Sequence, residues 1–526
     1  MSYSASFVHE FVRRLQEQQP HTPRQWQTDV EFPRYDMDDA SDRGLLVSRS
    51  TPLSFQLGTG ASIFTQTLIP AITSAASEVI FVTCFWAPSK TLSALHDALT
   101  RLATHRRHLI SGAESRGAPA LQPLTVRICL SSRSLFQKLL HPQSRHGRIC
   151  PPKSWVKDFG LPDPALLEAG GIQLQVKSLF FLPFSVMHPK FVIIDRQRAF
   201  VPSCNVSWES WLEGCVEITG DAVLGLMSFY SLTWERDVDF RKPVEGRPVE
   251  GQLFDARRAG HAVITSTAQH HATVPTTSAS LPTVILPSSH HRNPHFHPFP
   301  WQTAPKVPTT PLNVALLALF DQAHRSIYIQ TPNLTCEPVI AALLGALKRG
   351  TDVTIVTSRG MMLLEQLVTA GTTTSWCIRS LVRRFNKLKA RSSGSCPTHG
   401  SPGSSVADGA RNMDLEAGRL PLGQLHISYF HARSAASSLG HEAQSLMAAA
   451  DSQGEEPVHS HLKLTMVDDE YTLLGSGNMD RASWYTSQEL GILFHDARFA
   501  AAVKAAAGSA LEGRLDLVFD SAGGRD

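Results

Sequence analysis

Paired cysteines are missing from the 526-residue chain: none of its eight Cys stands in a C-x-x-C or repeats a spacing. That excludes a disulfide framework and a structural zinc site, and makes an intracellular, reducing compartment the expectation. No run of about 18 apolar residues occurs, so no transmembrane helix is predicted, and the first residues lack the apolar centre of a secretory signal. Charge is sparse as well. Charged residues make up 18% of the chain and the net charge is +3, too little to demand a nucleic-acid partner.

What is present is a repeat. His188-Pro-Lys190-Phe-Val-Ile-Ile-Asp195, followed after six residues by Pro202-Ser203-Cys204-Asn205, recurs as His461-Leu-Lys463-Leu-Thr-Met-Val-Asp468 and Gly475-Ser476-Gly477-Asn478. Each His, Lys, Asp, Ser and Asn stands the same distance after its counterpart (461 − 188 = 273). A five-residue chemical pattern repeated in register marks a duplication and predicts two half-sites.

Residues 191–194 and 464–467 read as buried strands. Alternation along a strand puts His188 and Lys190, and likewise His461 and Lys463, on one face, and turns Asp195 and Asp468 to the other, at a polar turn. A returning strand then carries Ser203 and Asn205, or Ser476 and Asn478, back toward the His/Lys end. An imidazole, with its ordinary pKa of about 6.5, serves as nucleophile or as general acid and base. Lys, Ser and Asn donate hydrogen bonds to anionic oxygens. The carboxylate cluster that a divalent cation needs is missing from the motifs. Two such sets facing each other predict a phosphoryl site without metal or cofactor, in which one His attacks phosphorus and the other protonates the leaving oxygen.

These residues resemble the phospholipase D superfamily of phosphodiesterases, whose signature H-x-K-x4-D-x6-G-S-x-N is present twice per active site. The second copy matches at every signature position, and the first has Pro202 where the family has Gly. The resemblance implies an acid after the Asn that orients the imidazole. Glu489 lies 11 residues after Asn478 (489 − 478 = 11), and Glu217 lies 12 after Asn205 (217 − 205 = 12), which assumes a one-residue insertion. It also implies that His188 forms a phosphohistidine and that His461 acts as acid and then as base. The expected catalytic set is therefore His188, Lys190, Asp195, Ser203, Asn205, Glu217, His461, Lys463, Asp468, Ser476, Asn478 and Glu489.

In chain order, 1–44 is an N-terminal segment whose residues 5–18 read as a helix, with Phe7, Phe11 and Leu15 on one side. Arg13 and Arg14 keep a mitochondrial transit peptide open; Glu10 and Glu17 count against it, because such peptides are poor in acids. Residues 45–245 form the first half, with helices over 64–77 and 91–104 and strands over 79–83 and 124–130. Residues 246–308 are rich in Thr, Ser, Pro and His and read as a disordered linker, with a His cluster at 290–297 that lacks the spacing of a metal site. Residues 309–526 form the second half, where helix 314–323, strand 326–331, helix 338–349 and strand 351–357 copy the order of the first. Flexible insertions are expected at 391–420 and 433–457. The fold class is α/β: two similar halves, each a mixed sheet flanked by helices, packed about a pseudo-twofold axis.

Two stretches bear on substrate. Residues 179–184, Leu-Phe-Phe-Leu-Pro-Phe, read either as a core strand or as an apolar lip for acyl chains. Residues 376–391 read as a basic amphipathic helix, either packed with a solvated face or lying on an anionic membrane surface. With the resemblance, they favour a phospholipase D or cardiolipin synthase-like phosphodiesterase or phosphatidyltransferase with a phospholipid substrate, cytoplasmic or peripheral at a membrane. The alternatives are a nuclease or DNA-end-processing enzyme of the same fold and a non-catalytic lipid-binding module. A nuclease needs an extended basic groove with aromatic platforms, and no such stripe occurs outside 379–391. A binding module predicts degraded motifs, whereas both copies are intact.

Overall fold

A computed structural model describes residues 3–18, 35, 37–133, 137, 147–181, 185–207, 210–235, 272–275, 279–288, 306–392, 421–433 and 456–523. Two sets of seven strands follow one pattern. In the first half the order is Ile172–Ser178, Leu124–Ser132, Glu78–Phe85, Phe191–Ile194, Arg198–Pro202, Trp211–Thr219, Val47–Thr59. In the second it is Leu425–Phe430, Asp352–Ser358, Ser326–Thr331, Leu464–Val467, Tyr471–Gly475, Glu489–His495, Leu281–Ser288. In both, the first three strands are parallel and the rest antiparallel, so the sheet is mixed and the fold is α/β. The seventh strands pair with each other, Val47 with Val284 through Ser50 with Leu281, and join the two halves.

The central strands, Phe191–Ile194 and Leu464–Val467, are buried at every residue, as befits strands covered on both faces. Helices form the flanking layers and start where the local chemistry dictates. Ser89 caps Lys90–Ser115, and Thr310 caps Pro311–Gln322 with Pro in the first turn.

The motif aspartates hold the hairpins. Asp195 and Arg196 have φ of 50° and 56°, and Asp468 and Asp469 both have 55°. Two successive left-handed residues make the tight turn whose twist suits a hairpin. Each non-Gly residue there costs about 1 kcal/mol, which the aspartates offset with charge-assisted bonds. The Asp195 carboxylate accepts from the amides of Ala76, Ser77 and Glu78, and that of Asp468 from His324, Arg325 and Ser326. Each hairpin is thereby pinned to the start of the parallel strand beside it.

One sequence reading changes, and three others are placed by the structure. Residues 281–288 lie within the expected linker yet form a buried strand between the halves. Averaging over the polar window hid this apolar run, Leu-Pro-Thr-Val-Ile-Leu-Pro-Ser. The His290 to His297 cluster, and nearly all of both expected insertions, lie outside the described residues. The N-terminal helix, Tyr3–Gln18, buries Phe7, Phe11 and Leu15 in the core of the second half, and its Arg13 pairs with Glu10 and Glu17. Its apolar face is thus used within the fold. In the basic helix, Thr374–Ser392, the apolar residues Ile378, Leu381 and Phe385 are buried, while the charged face and Trp376 point outward. Of the 179–184 stretch, Leu179 and Phe180 are buried core residues, and 182–184 lie outside the described residues.

Candidate active site

Each motif histidine is delivered to the other half. The segment before His188 runs beside the strand bearing Glu489: the His188 amide donates to Gln488 O at 3.0 Å and the Gln488 amide to Val186 O at 2.9 Å. The segment before His461 runs beside the strand bearing Glu213: the His461 amide donates to Leu212 O at 2.9 Å and the Val458 amide to Ser210 O at 2.8 Å. This backbone exchange crosses the imidazoles over. His188 Nδ1 meets Glu489 Oε2 at 2.8 Å, and His461 Nδ1 meets Glu213 Oε1 at 2.8 Å.

The motif serines complete the pairs. Ser476 Oγ donates to Glu489 Oε2 at 2.5 Å and accepts from the Leu490 amide. Ser203 Oγ donates to Glu213 Oε2 and accepts from the Gly214 amide. Serine therefore positions the carboxylate, the carboxylate binds the imidazole of the opposite half, and Nδ1–H is committed to it, which leaves Nε2 as the ring atom available for chemistry.

The lysines behave differently. Lys190 Nζ donates to His188 O at 2.9 Å, whereas Lys463 Nζ lies 2.7 Å from His461 Nε2. All four basic groups share one electrostatic space: Lys463 bears on His188 and Lys190 on His461. Burial pushes His188 below its ordinary pKa, His461 to about 3 and Lys463 to about 7, against the pull of Glu489 or Glu213. Burial pushes the two glutamates upward, but the paired His charge and hydrogen bonds outweigh it, and both are held below the usual range.

The asparagine amides are oriented by different partners. Asn205 Oδ1 accepts from the Phe85 amide at 3.2 Å, and Asn478 Nδ2 donates to Asp480 Oδ2 at 2.9 Å. Asp480, buried and raised in pKa by that burial, also caps the Arg481–Tyr485 helix.

Two expectations are corrected. Glu217 is not the imidazole partner; it accepts from Arg198 Nη2 at 2.6 Å, four residues further along its strand, about 13 Å away at strand spacing. Glu213 holds that place because the Ser203 amide bonds Gly214 O as the Ser476 amide bonds Leu490 O. The first copy therefore has a shorter loop after its Asn (213 − 205 = 8), where an insertion was assumed. Matching Ser203 across its hairpin, instead of counting from Asn205, would have found it. Asp195 and Asp468 also lie away from the imidazoles, in their hairpin turns, where carboxylate hydrogen bonds anchor the scaffold. Among the described residues no three His, Cys, Asp or Glu side chains gather to hold a metal ion.

Residues 316–509 match the sequence family described as cardiolipin synthase, PLD-like domain. No curated protein matches the chain. Similar solved structures include phosphatidylserine synthase from Haemophilus influenzae Rd KW20, with 16% identity, 91% of this chain and 92% of that chain covered, and a TM-score of 0.46. Another is Nuc, a phospholipase D family member from Salmonella typhimurium, with 14% identity, 39% of this chain and 90% of that chain covered, and a TM-score of 0.23. The family match spans the second motif copy, so residues 316–509 are similar to the PLD-like domain of cardiolipin synthase.

Proposed function

We propose that the chain is a metal-independent phosphodiesterase or phosphatidyltransferase that works through a phosphohistidine on a phospholipid head group. The observation that carries this reading is the crossed pair of Glu–His contacts, one imidazole from each half held by a buried carboxylate of the other. Only an arrangement that uses both rings at one reacting centre gives that crossing a purpose.

In the first step the His188 Nε2 lone pair attacks phosphorus, the P–O bond to the leaving group breaks, and the leaving oxygen takes a proton from His461. Lys190 and Lys463 offset the charge that builds on the non-bridging oxygens, together with the free amide hydrogens of Asn205 and Asn478. In the second step water or an alcohol gives its proton to His461 Nε2, its oxygen bonds phosphorus, and the P–N bond breaks. Water access at this second step decides between hydrolysis and transfer. The match of 316–509 to a cardiolipin synthase-like domain supports a lipid substrate and an alcohol acceptor.

The test incubates wild type and His188→Ala, with chelator present, with phosphatidylglycerol-containing vesicles and separately with single-stranded DNA, and reads products by mass spectrometry. Phosphatidic acid or cardiolipin from wild type alone is the expected result. Cleaved DNA with untouched lipid moves the assignment to the nuclease alternative.

A further inference from the structure

The Leu363–Ala370 helix is built inside out. Its one buried residue is the polar Gln366, 3% exposed, while Leu363, Leu364, Leu367 and Val368 face outward, Leu364 at 77%. The inversion is held in place: Gln366 Oε1 accepts from the amide and hydroxyl of Thr374, and Gln366 Nε2 donates to Met361 O. Gly360 and Met362 before the helix and Gly371 after it all have positive φ, so the chain turns sharply into and out of it. Contiguous exposed aliphatics on one short helix call for an apolar partner.

Charge on the next helix says which partner. Trp376, Arg379, Arg383 and Lys387 are all exposed and lie one turn or two apart along one stripe of Thr374–Ser392. Among the described residues none of these three cations is in an ion pair, whereas their neighbour Arg384 is bound to Glu337. Ala370 and Trp376 line one surface recess with Arg481 and Tyr485, so the leucine helix and the basic stripe adjoin. An aliphatic prong beside an interfacial Trp and unpaired cations is the pattern of a helix seated at the headgroup boundary of an anionic bilayer.

The patch also borders the candidate site. Thr374 Oγ1 accepts from the Leu334 amide, and Leu334 forms a β-bridge with Met479, the residue after Asn478. We propose that Leu363–Ala370 inserts its leucines into an anionic lipid surface, with Arg379, Arg383 and Lys387 on the headgroup phosphates, and so sets the site's mouth against the membrane. The purpose rests on the lipid reading of that site, but the docking itself is read without turnover.

The experiment measures co-sedimentation of the full chain with vesicles of phosphatidylcholine alone or mixed with phosphatidylglycerol. The comparison set is wild type, Leu364→Glu/Leu367→Glu and Arg379→Glu/Arg383→Glu. Turnover of a small soluble diester, bis(p-nitrophenyl) phosphate, checks that each variant keeps its fold and site. Wild type is expected to prefer anionic vesicles. The leucine variant should lose binding by about tenfold or more, and the arginine variant should lose the anionic preference, with soluble turnover kept by both. Full vesicle binding by the leucine variant overturns the proposal, as does absence of binding by wild type. Light scattering that shows wild type as a dimer and the leucine variant as a monomer also overturns it, by assigning the face to a second copy. A wild type that binds vesicles but converts no phospholipid sinks the lipid-enzyme reading and leaves the docking surface standing.

Discussion

The two half-sites contain the same atoms in different surroundings. His461 is 3% exposed, capped by Lys463 at Nε2 and covered by the Trp211 ring at 4.7 Å. His188 is less enclosed, its side chain 15% exposed, and its lysine bonds the backbone instead of the ring. With Glu213 matched to Glu489, the position of Trp211 corresponds to Ser487 in the other half, so one large ring for one hydroxyl accounts for the difference in cover. Duplication supplies two imidazole–carboxylate pairs, and a neighbour two residues before each carboxylate separates their chemistry. An uncapped Nε2 suits a nucleophile, and one already in contact with an ammonium suits an acid.

The strongest way to break this comparison is to remove each ring in turn. His188→Ala should lower turnover by roughly 10³-fold or more and form no adduct. His461→Ala should lower turnover of ordinary esters as far. With a p-nitrophenyl ester, whose leaving group needs no proton, it should still be attacked and should accumulate phosphohistidine. Intact-protein mass spectrometry after rapid quench reads the result. An adduct in His188→Ala and none in His461→Ala would exchange the two roles.

Next in size is the carboxylate pair. Glu213→Gln leaves His461 without the anion that fixes its tautomer and should cost about 10²-fold in kcat. Glu217→Gln removes a partner of the half-exposed Arg198 and of the Ser54 hydroxyl, both away from the imidazoles, and should leave turnover within about twofold. Equal losses in the two variants would contradict the placement of the acid.

These residues also mark how far the chain was legible. The motif spacing led directly to the hairpins, because strand alternation is a local property, and the alternation of helix and strand copied between the halves was legible, though not the full set of seven strands in each. Glu213 was missed because the loop after Asn205 differs in length from that after Asn478, and only pairing across the hairpin restores the register. The strand at 281–288 was missed because its eight residues are embedded in polar sequence and are stabilised by neighbours distant in the chain, Val47 and Leu493 among them. The exposure of Leu363, Leu364 and Leu367 is not given by hydropathy. What turns them outward is the burial of Gln366, a tertiary choice that periodicity does not encode.

Acid–base behaviour sharpens the comparison further. In the free enzyme His461 stays neutral down to about 3, so from there up to about 7 the transferable proton belongs to Lys463, lowered to about 7, and reaches His461 across their 2.7 Å contact. Raising the pH through about 7 removes that proton, and kcat/KM should fall on the alkaline side. Burial is the first cause of the lowering, so Trp211→Ser, which admits water, should return Lys463 toward its ordinary range and move the alkaline limb up by about one unit. A pH–rate profile of the two proteins checks this, and coincident limbs would remove Trp211 as the source of the asymmetry.

The smallest expected effect lies in the turn that precedes each serine. Gly475 has φ of +152°, and a Cβ there would stand 2.2 Å from Leu490 O, so Gly475→Ala combines backbone strain with a clash and should destabilise by about 2 kcal/mol or more. Pro202, at the corresponding position, is paired opposite Cys215 as the last residue of its strand. Its ring holds φ near −65°, so the first copy must reach its serine by another path. Pro202→Ala should therefore cost only about 0.5–1 kcal/mol, through the freedom returned to the unfolded chain. Urea midpoints of the two variants test the pair. A loss at Pro202 as large as that at Gly475 would mean that both turns are equally constrained. The expected inequality means instead that the serine amides, bonded to Gly214 O and Leu490 O, set the register after the turn, and that the turn itself is free to differ.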